Sequence, residues 1–271
     1  MSYFKFLHLD KEPFSTSPDP KFLYYSPEHS AALQRIEIAI RLRRGLVVIM
    51  GDVGTGKTTL SRALLQSFHN DDNYLFHMIL DPQYRSEFQF LSALVRMFKA
   101  KPKYRSTLDY RDAIEQYLFQ KGVEENKTIV LLIDEGQKLS PPFLEILRIL
   151  LNYETNEYKL LQLVIFSQME LLPKIRKIPN FMDRICLKFI LNPLDEQQTG
   201  ELIRYRLKQA GLDSHTNLFD PEAVRKIYEF TGGYPRRIIH VCHHALENII
   251  MYDKPQVDAG TIDDLIAREV V

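Results

Sequence analysis

The sequence predicts an α/β chain: a parallel sheet flanked by helices, followed by a small C-terminal all-helical domain. Three observations predict it. Short apolar runs alternate with helical periodicities between residues 29 and 194, the mark of strands covered on both faces. One of these runs leads straight into a glycine-rich loop and then a helix. After Leu194 the short runs cease and only helical patterns remain. The expected divisions are an arm (1–28) packing on the core, a core (29–194) and a helical domain (195–271).

Residues 1–28 are rich in proline and aromatics, among them Phe4, Phe6, Phe14, Pro18, Pro20, Phe22, Tyr24, Tyr25 and Pro27. So apolar a segment is expected to pack and not to float as a disordered tail. Ser26-Pro27-Glu28 opens a helix, with Ser as cap and Pro in the first turn; Leu33, Ile36 and Ile40 form its stripe. Leu46–Met50 reads as a buried strand, Thr58–Gln66 as a helix and Tyr74–Leu80 as a second strand. Residues 87–98 repeat apolar side chains at helical spacing. A basic loop, Lys99–Arg105, precedes a helix at Thr107–Lys121. Thr128–Ile133 is apolar almost throughout and reads as a strand buried on both faces. A helix at Pro141–Tyr153 and strands at Leu161–Phe166 and Cys186–Ile190 complete the core. Helices follow over 196–210, 221–230, 235–251 and 261–269. Asp220-Pro221 caps the second of these, and Gly232-Gly233 ends it.

Bulk properties exclude some classes. The 271 residues are 45% hydrophobic and 26% charged, an ordinary globular composition. Lys+Arg and Asp+Glu both number 35, so no global field draws the chain to nucleic acid or anionic lipid. No apolar run reaches the roughly 18 residues of a membrane span, and the N-terminus has no signal layout. A cytoplasmic protein is expected, reaching a membrane only through partners. Cys186 and Cys242 fit reduced structural thiols.

The chemistry concentrates in a few places. Gly51-Asp52-Val53-Gly54-Thr55-Gly56-Lys57-Thr58 satisfies G-x-x-x-x-G-K-[ST] at every fixed position, between a strand and a helix. This is the phosphate loop of a P-loop NTPase. Backbone N–H groups of 54–58 are expected to cradle a β-phosphate. Lys57 would reach the β- and γ-oxygens, Thr58 would ligate Mg²⁺, and Thr59 would neighbour the α-phosphate. Asp134-Glu135 ends the buried strand Thr128–Ile133, where an acid is costly unless paired or on a metal. Asp134 is expected in the Mg²⁺ shell and Glu135 as the base for an attacking water. Gln168, ending the strand Leu161–Phe166, is placed to orient that water. Arg184, before the fifth strand, and Arg236, after Gly232-Gly233-Tyr234-Pro235, are candidates to neutralise transition-state charge.

Together these features resemble an AAA+ ATPase. Asp183-Arg184-Ile185-Cys186, with Phe189 and Asn192-Pro193-Leu194, is similar to the clamp-loader motif Ser-Arg-Cys, in which the arginine acts in trans. The chain is most similar to the ExeA/GspA-type secretion ATPases and their exosortase-locus relatives. Phe14–Tyr24, Ser26, His29, Ala32-Leu33, Gly51–Thr59, Asp134-Glu135-Gly136-Gln137, Leu160–Leu163 and Thr231–Arg237 carry that likeness. The resemblance implies an AAA+ core with a helical lid, ATP and Mg²⁺ as cofactors, and a homo-oligomeric ring, often hexameric. It also implies nucleotide contacts from Tyr234, Pro235 and Arg236, with Arg184 reaching a neighbour's site. Two departures stand out. The family's Gly-Gln-Pro-Glu-Leu reads Ser167-Gln168-Met169-Glu170-Leu171, and a second arginine expected before Arg184 is Met182, which makes Arg176 an alternative finger. Membrane and peptidoglycan-binding segments of the full-length secretion ATPases have no counterpart, so a stand-alone relative or an ATPase portion is expected.

Three roles stay open: an ATPase assembling a secretion, pilus or export machine with a membrane-machine partner, a DNA-acting regulator of the MuB/TnsC type, and a slow nucleotide-gated scaffold. Gln83-Tyr84-Arg85 could form an aromatic–basic pore-loop tip. Arg96, Lys99, Lys101, Lys103 and Arg105, with Tyr104 among them, could meet nucleic-acid phosphates. His240, Cys242, His243 and His244 show no partner motif and no fourth ligand, and read as an ordinary helix face.

Overall fold

A computed structural model describes residues 3–15, 20–213 and 216–268. Contacts divide the chain into a sheet unit, His29–Val53 with Leu60–Leu191, and a helical unit, Met1–Glu28 with Gly54–Thr59 and Asn192–Val271. In chain order the helices are α1 (Tyr3–Phe6), α2 (Pro27–Arg41), α3 (Lys57–Ser67), α4 (Glu87–Phe98), α5 (Thr107–Phe119), α6 (Pro141–Leu150), α7 (Leu171–Arg176), α8 (Pro179–Met182), α9 (Glu196–Gln209), α10 (Pro221–Thr231), α11 (Pro235–Met251) and α12 (Ala259–Ala267). The strands are β1 (Leu46–Gly51), β2 (Tyr74–Ile79), β3 (Thr128–Ile133), β4 (Leu161–Ser167) and β5 (Ile185–Leu191).

The sheet is parallel throughout, in the order β2-β3-β4-β1-β5. Alternate side chains of the central strands go to opposite faces, as the period of two demands. Leu46, Val48, Met50, Ile129, Leu131, Ile133, Leu163 and Ile165 pack against α4, α5 and α6. Val47, Ile49, Val130, Leu132, Val164 and Phe166 pack against α2 and α3. All six residues of β3 are buried, which is why this run is apolar without alternation. At the edge, β5 leaves Cys186, Lys188 and Ile190 exposed and turns Ile185, Leu187 and Phe189 inward. From β1 the chain crosses to the far edge at β2, returns through β3 and β4, and then jumps past β1 to β5. That reversal makes the carboxyl end of β1 the switch point where α/β sheets bind ligands.

Five strands and nine helices fall close to their expected positions among the described residues. The differences are local. Short α7 and α8 lie below the length at which apolar periodicity is legible. Helix α6 stops at Leu150, and the Glu154–Lys159 bridge turns the chain into β4. A π-helical turn, Gln120–Glu124, ends α5, with Gly122 closely packed on Leu160 and Ile129. The C-terminal helix begins at Ala259, under an Asp258 cap that accepts from Thr261 N.

The helical unit has its own core, formed by α9–α12. Asp195 and Gln198 form a capping box at the start of α9, and Asp220 accepts from Ala223 N at the start of α10. The N-terminal arm belongs to this unit, contributing Leu9 and Phe14 to its core. Phe14 meets Phe219 edge-on at 6.0 Å. Asp10 N–H donates to Ala210 O at 2.8 Å, Tyr24 donates to Glu201, and Arg206 donates to Ser15 O at 3.1 Å. The physical reason is the apolar surface of α9 and α11, which the aromatics of the arm cover. Residues 16–19, part of the motif quoted above, lie outside the described residues, as does Glu269 of the last expected helix.

Candidate active site

Gly51 closes β1, and Asp52 and Val53 follow it as exposed residues. Gly54 and Gly56 hold φ of +85° and +94°, a region that costs other residues steric energy. Thr55 is fully buried and Lys57 only 8% exposed. Lys57 begins α3, which places it at the positive end of the helix dipole.

In the helical unit, the segment containing Gly54 meets the start of α11. Arg236 N–H donates to Gly54 O at 3.3 Å, and a Cβ on Gly54 would stand 3.0 Å from Arg236 Cβ. What positions Arg236 is the glycine pair before it. Gly232 caps α10 in the left-handed region. Gly233, at φ +75°, lies so close to Leu194 that a Cβ would be 1.8 Å from its carbonyl oxygen. Tyr234 then caps α11, Pro235 occupies its first turn, and the Arg237 guanidinium covers the Tyr234 ring at 5.4 Å. The Arg236 side chain is exposed.

In the sheet unit, Asp134 continues the ladder, its N–H donating to Ile79 O at 2.8 Å, and is 4% exposed. Its Oδ1 accepts from Glu135 N at 2.9 Å. Glu135 adopts φ +52°, ψ +37°, a strained conformation for a non-glycine that is concentrated at functional sites. The turn brings Gly136 against β4, where a Cβ would be 2.4 Å from Ile165 Cγ2. Gln137 then spans the gap between the two strand ends. Its Nε2 donates to Glu135 Oε2 at 2.6 Å. Its Oε1 accepts from Gln168 N at 3.0 Å and from Ser167 Oγ at 3.3 Å. The Gln168 N–H can only donate, so the amide orientation is decided: oxygen to β4, nitrogen to Glu135. Lys174 on α7 donates to the carbonyls of Gln137 and Leu139 and holds the turn.

The Arg184 guanidinium is bonded to Asn152 Oδ1, with Nε at 3.1 Å, and to Asn180 O at 3.1 Å. Arg176, the alternative finger, is exposed at the end of α7, and Met182 packs on the core.

The sequence profile of the AAA domain family matches residues 40–175, half of the chain. This chain belongs to the AAA+ ATPase family. It is 36% identical over 247 residues to General secretion pathway protein A of Aeromonas hydrophila, covering 90% of this chain and 44% of that one. The chain thus spans less than half the length of that relative. In fold it is similar to the Aeropyrum pernix ORC2 protein, solved in ADPNP–ADP complexes, with a TM-score of 0.67 at 18% identity over 95% of this chain and 71% of that one. Thermotoga maritima RuvB is similar at a TM-score of 0.59 and 14% identity, covering 88% and 68%.

ATP binding comes with the AAA+ family. Among the described residues no helix is long and apolar enough to cross a membrane. Of the three residues read as a possible pore-loop tip, Gln83 and Arg85 are exposed, while Tyr84 is half-buried and packs against Phe90 and Phe143 with ring centroids 5.3 and 6.2 Å away, and burial raises its phenol pKa. The basic loop, by contrast, is exposed, with Tyr104 74% accessible. Gln137 stood in the sequence only as part of the Asp134-Glu135-Gly136-Gln137 likeness, with no role of its own, since a glutamine linking two strands is visible only once the strands are neighbours.

Proposed function

We propose that this AAA+ chain binds ATP with Mg²⁺ and hydrolyses it in a ring of like subunits. The observation that carries the reading is Glu135, held in a strained turn beside buried Asp134 with its carboxylate bonded to Gln137. The backbone of 54–58 surrounds the β-phosphate, Lys57 neutralises the β- and γ-oxygens, and Thr59 neighbours the α-phosphate. The hydroxyl of Thr58 and the carboxylate of Asp134 are hard oxygen donors of the kind Mg²⁺ takes. Bound there, Mg²⁺ supplies charge neutralisation. Glu135 accepts the proton of the attacking water, Gln137 aims the carboxylate, and Gln168 orients the water. Tyr234, Pro235 and Arg236 contact the nucleotide, and Arg184 leaves Asn152 to serve a neighbouring subunit. The core is taken as 29–194 and the lid as 195–271.

Likeness to General secretion pathway protein A supports a role in assembling a secretion or export machine, from the cytoplasmic side and through a membrane-bound partner. The test is ATPase rate against protein concentration for wild type and Arg184→Ala. Specific activity that rises steeply with concentration, and is lost in the variant, is expected. A flat, Arg184-independent rate would refute the ring.

One observation favours a second reading. The exposed loop Lys99–Arg105 presents Tyr104 among basic side chains, a combination suited to phosphates and bases. DNA binding that weakens with salt and is lost on charge reversal of Lys101 and Lys103 is its test.

A further inference from the structure

Two turns beyond Arg236, α11 carries a cluster that the ATPase reading does not use. His243, His244 and Glu247 bring ligand atoms within 4.8 Å of one another. His243 Nε2 is 3.5 Å from Glu247 Oε1, and His244 Nδ1 is 3.0 Å from Glu247 Oε2. A tetrahedral ion with bonds near 2.0–2.1 Å spaces its ligands by about 3.4 Å, so small side-chain rotations suffice. The sequence showed no further ligand, and the structure supplies a carboxylate from elsewhere: Glu12 of the arm, whose Oε1 is 3.3 Å from His243 Nδ1. Metal-binding histidines usually give their second ring N–H to a carboxylate, which fixes the tautomer and raises basicity. Glu12 stands where that partner stands, leaving Nε2 to face Glu247.

The surroundings agree. His240 packs edge-on against His244 at 4.6 Å. The side chains of His243 and His244 are 27% and 24% exposed, leaving room for an ion and the waters that complete its shell. Cys242 is no ligand, because its thiol is fully buried in the core of the unit.

We propose that His243, His244 and Glu247 bind a divalent transition-metal ion of the zinc class, with Glu12 orienting His243, so that the ion ties the N-terminal arm to α11. Imidazole and carboxylate together suit Zn²⁺ and Co²⁺ better than Mg²⁺, which separates this site from the nucleotide's. The experiment uses the full chain, stripped with chelator, nucleotide-free and carrying Cys186→Ser to remove the exposed thiol. Zn²⁺ is titrated against a chromophoric chelator, and Co²⁺ is followed by its visible absorption. One ion per chain at micromolar concentration is expected. Glu247→Gln and His244→Ala should abolish it, Glu12→Gln should weaken it about 10-fold, and His240→Ala should leave it within about threefold. Glu12→Gln leaves α11 intact, so its effect is readable even if a histidine variant misfolds. Absence of stoichiometric binding at micromolar Zn²⁺, or equal affinity in the Glu247 and Glu12 variants, would overturn the proposal.

Discussion

Gln137→Leu isolates the role of the residue that links the two strand ends. The substitution keeps approximate size and removes both polar functions. Glu135 loses the donor at 2.6 Å. Gln168 N–H and Ser167 Oγ lose their shared acceptor at 3.0 and 3.3 Å. A hydrogen bond to a charged group contributes about 1.5–3 kcal/mol. If that bond holds the Glu135 carboxylate toward the attacking water, its loss slows the chemical step by about 10–100-fold. Nucleotide affinity stays near wild type, because Gln137 has no part in phosphate binding. The stranded Gln168 N–H costs about 1–3 kcal/mol of stability, a fall of about 2–5 °C in Tm for a chain of this length. The assay is steady-state ATPase with kcat and KM separated, alongside binding of a fluorescent ATP analogue. Gln137→Glu sharpens it: two carboxylates at hydrogen-bond distance repel, so one of them is protonated only as pH falls. Its activity should therefore recover relative to wild type on acidification, when the introduced carboxyl becomes a donor. An unchanged kcat in Gln137→Leu, or a KM change with kcat intact, would refute the positioning role.

Glu135→Gln should retain ATP binding and slow hydrolysis about 10²–10⁴-fold, the usual worth of a general base; single-turnover rates check it. Lys57→Ala should lose ATP binding itself, read by the fluorescent analogue, because no other cation begins α3. Gly233→Ala combines a left-handed backbone, costing about 1–2 kcal/mol, with a steric clash on Leu194 worth about 1–3 kcal/mol; a Tm lowered by about 6–12 °C is expected by calorimetry. Stability should also depend on His77, which burial and then Lys99 hold at a pKa of about 4. The folded state prefers the neutral ring, so this contribution is full above pH 6.5 and is lost as pH falls toward 4. Partial exposure reduces its size to about 2 kcal/mol. Denaturant titrations of wild type and His77→Phe should diverge across that window and have parallel slopes above it.

Much of this protein was legible in its sequence because the signals are local. Five apolar strands, the glycine loop at Gly51–Thr58 and the cap residue at Asp220 each act through neighbours within a turn or two, so pattern alone locates them. Asp134 and Glu135 were legible because acids at the end of a buried apolar run are costly unless a partner or a metal holds them. What only the tertiary structure decided depends on residues far apart in the chain. That Tyr84 packs on Phe143 was not legible, because Phe143 lies far along the chain. The arm looked apolar in sequence, yet nothing local said that Leu9 and Phe14 would be buried with α9 and α11. Gln137 gained a role only when the parallel pairing of β3 with β4 put Ser167 and Gln168 beside it. The histidines of α11 looked ordinary until Glu12, 231 positions before His243, arrived at hydrogen-bond distance. Short-range physics is written into residue order, whereas burial and polar pairing are settled by which distant segments the packed core brings together.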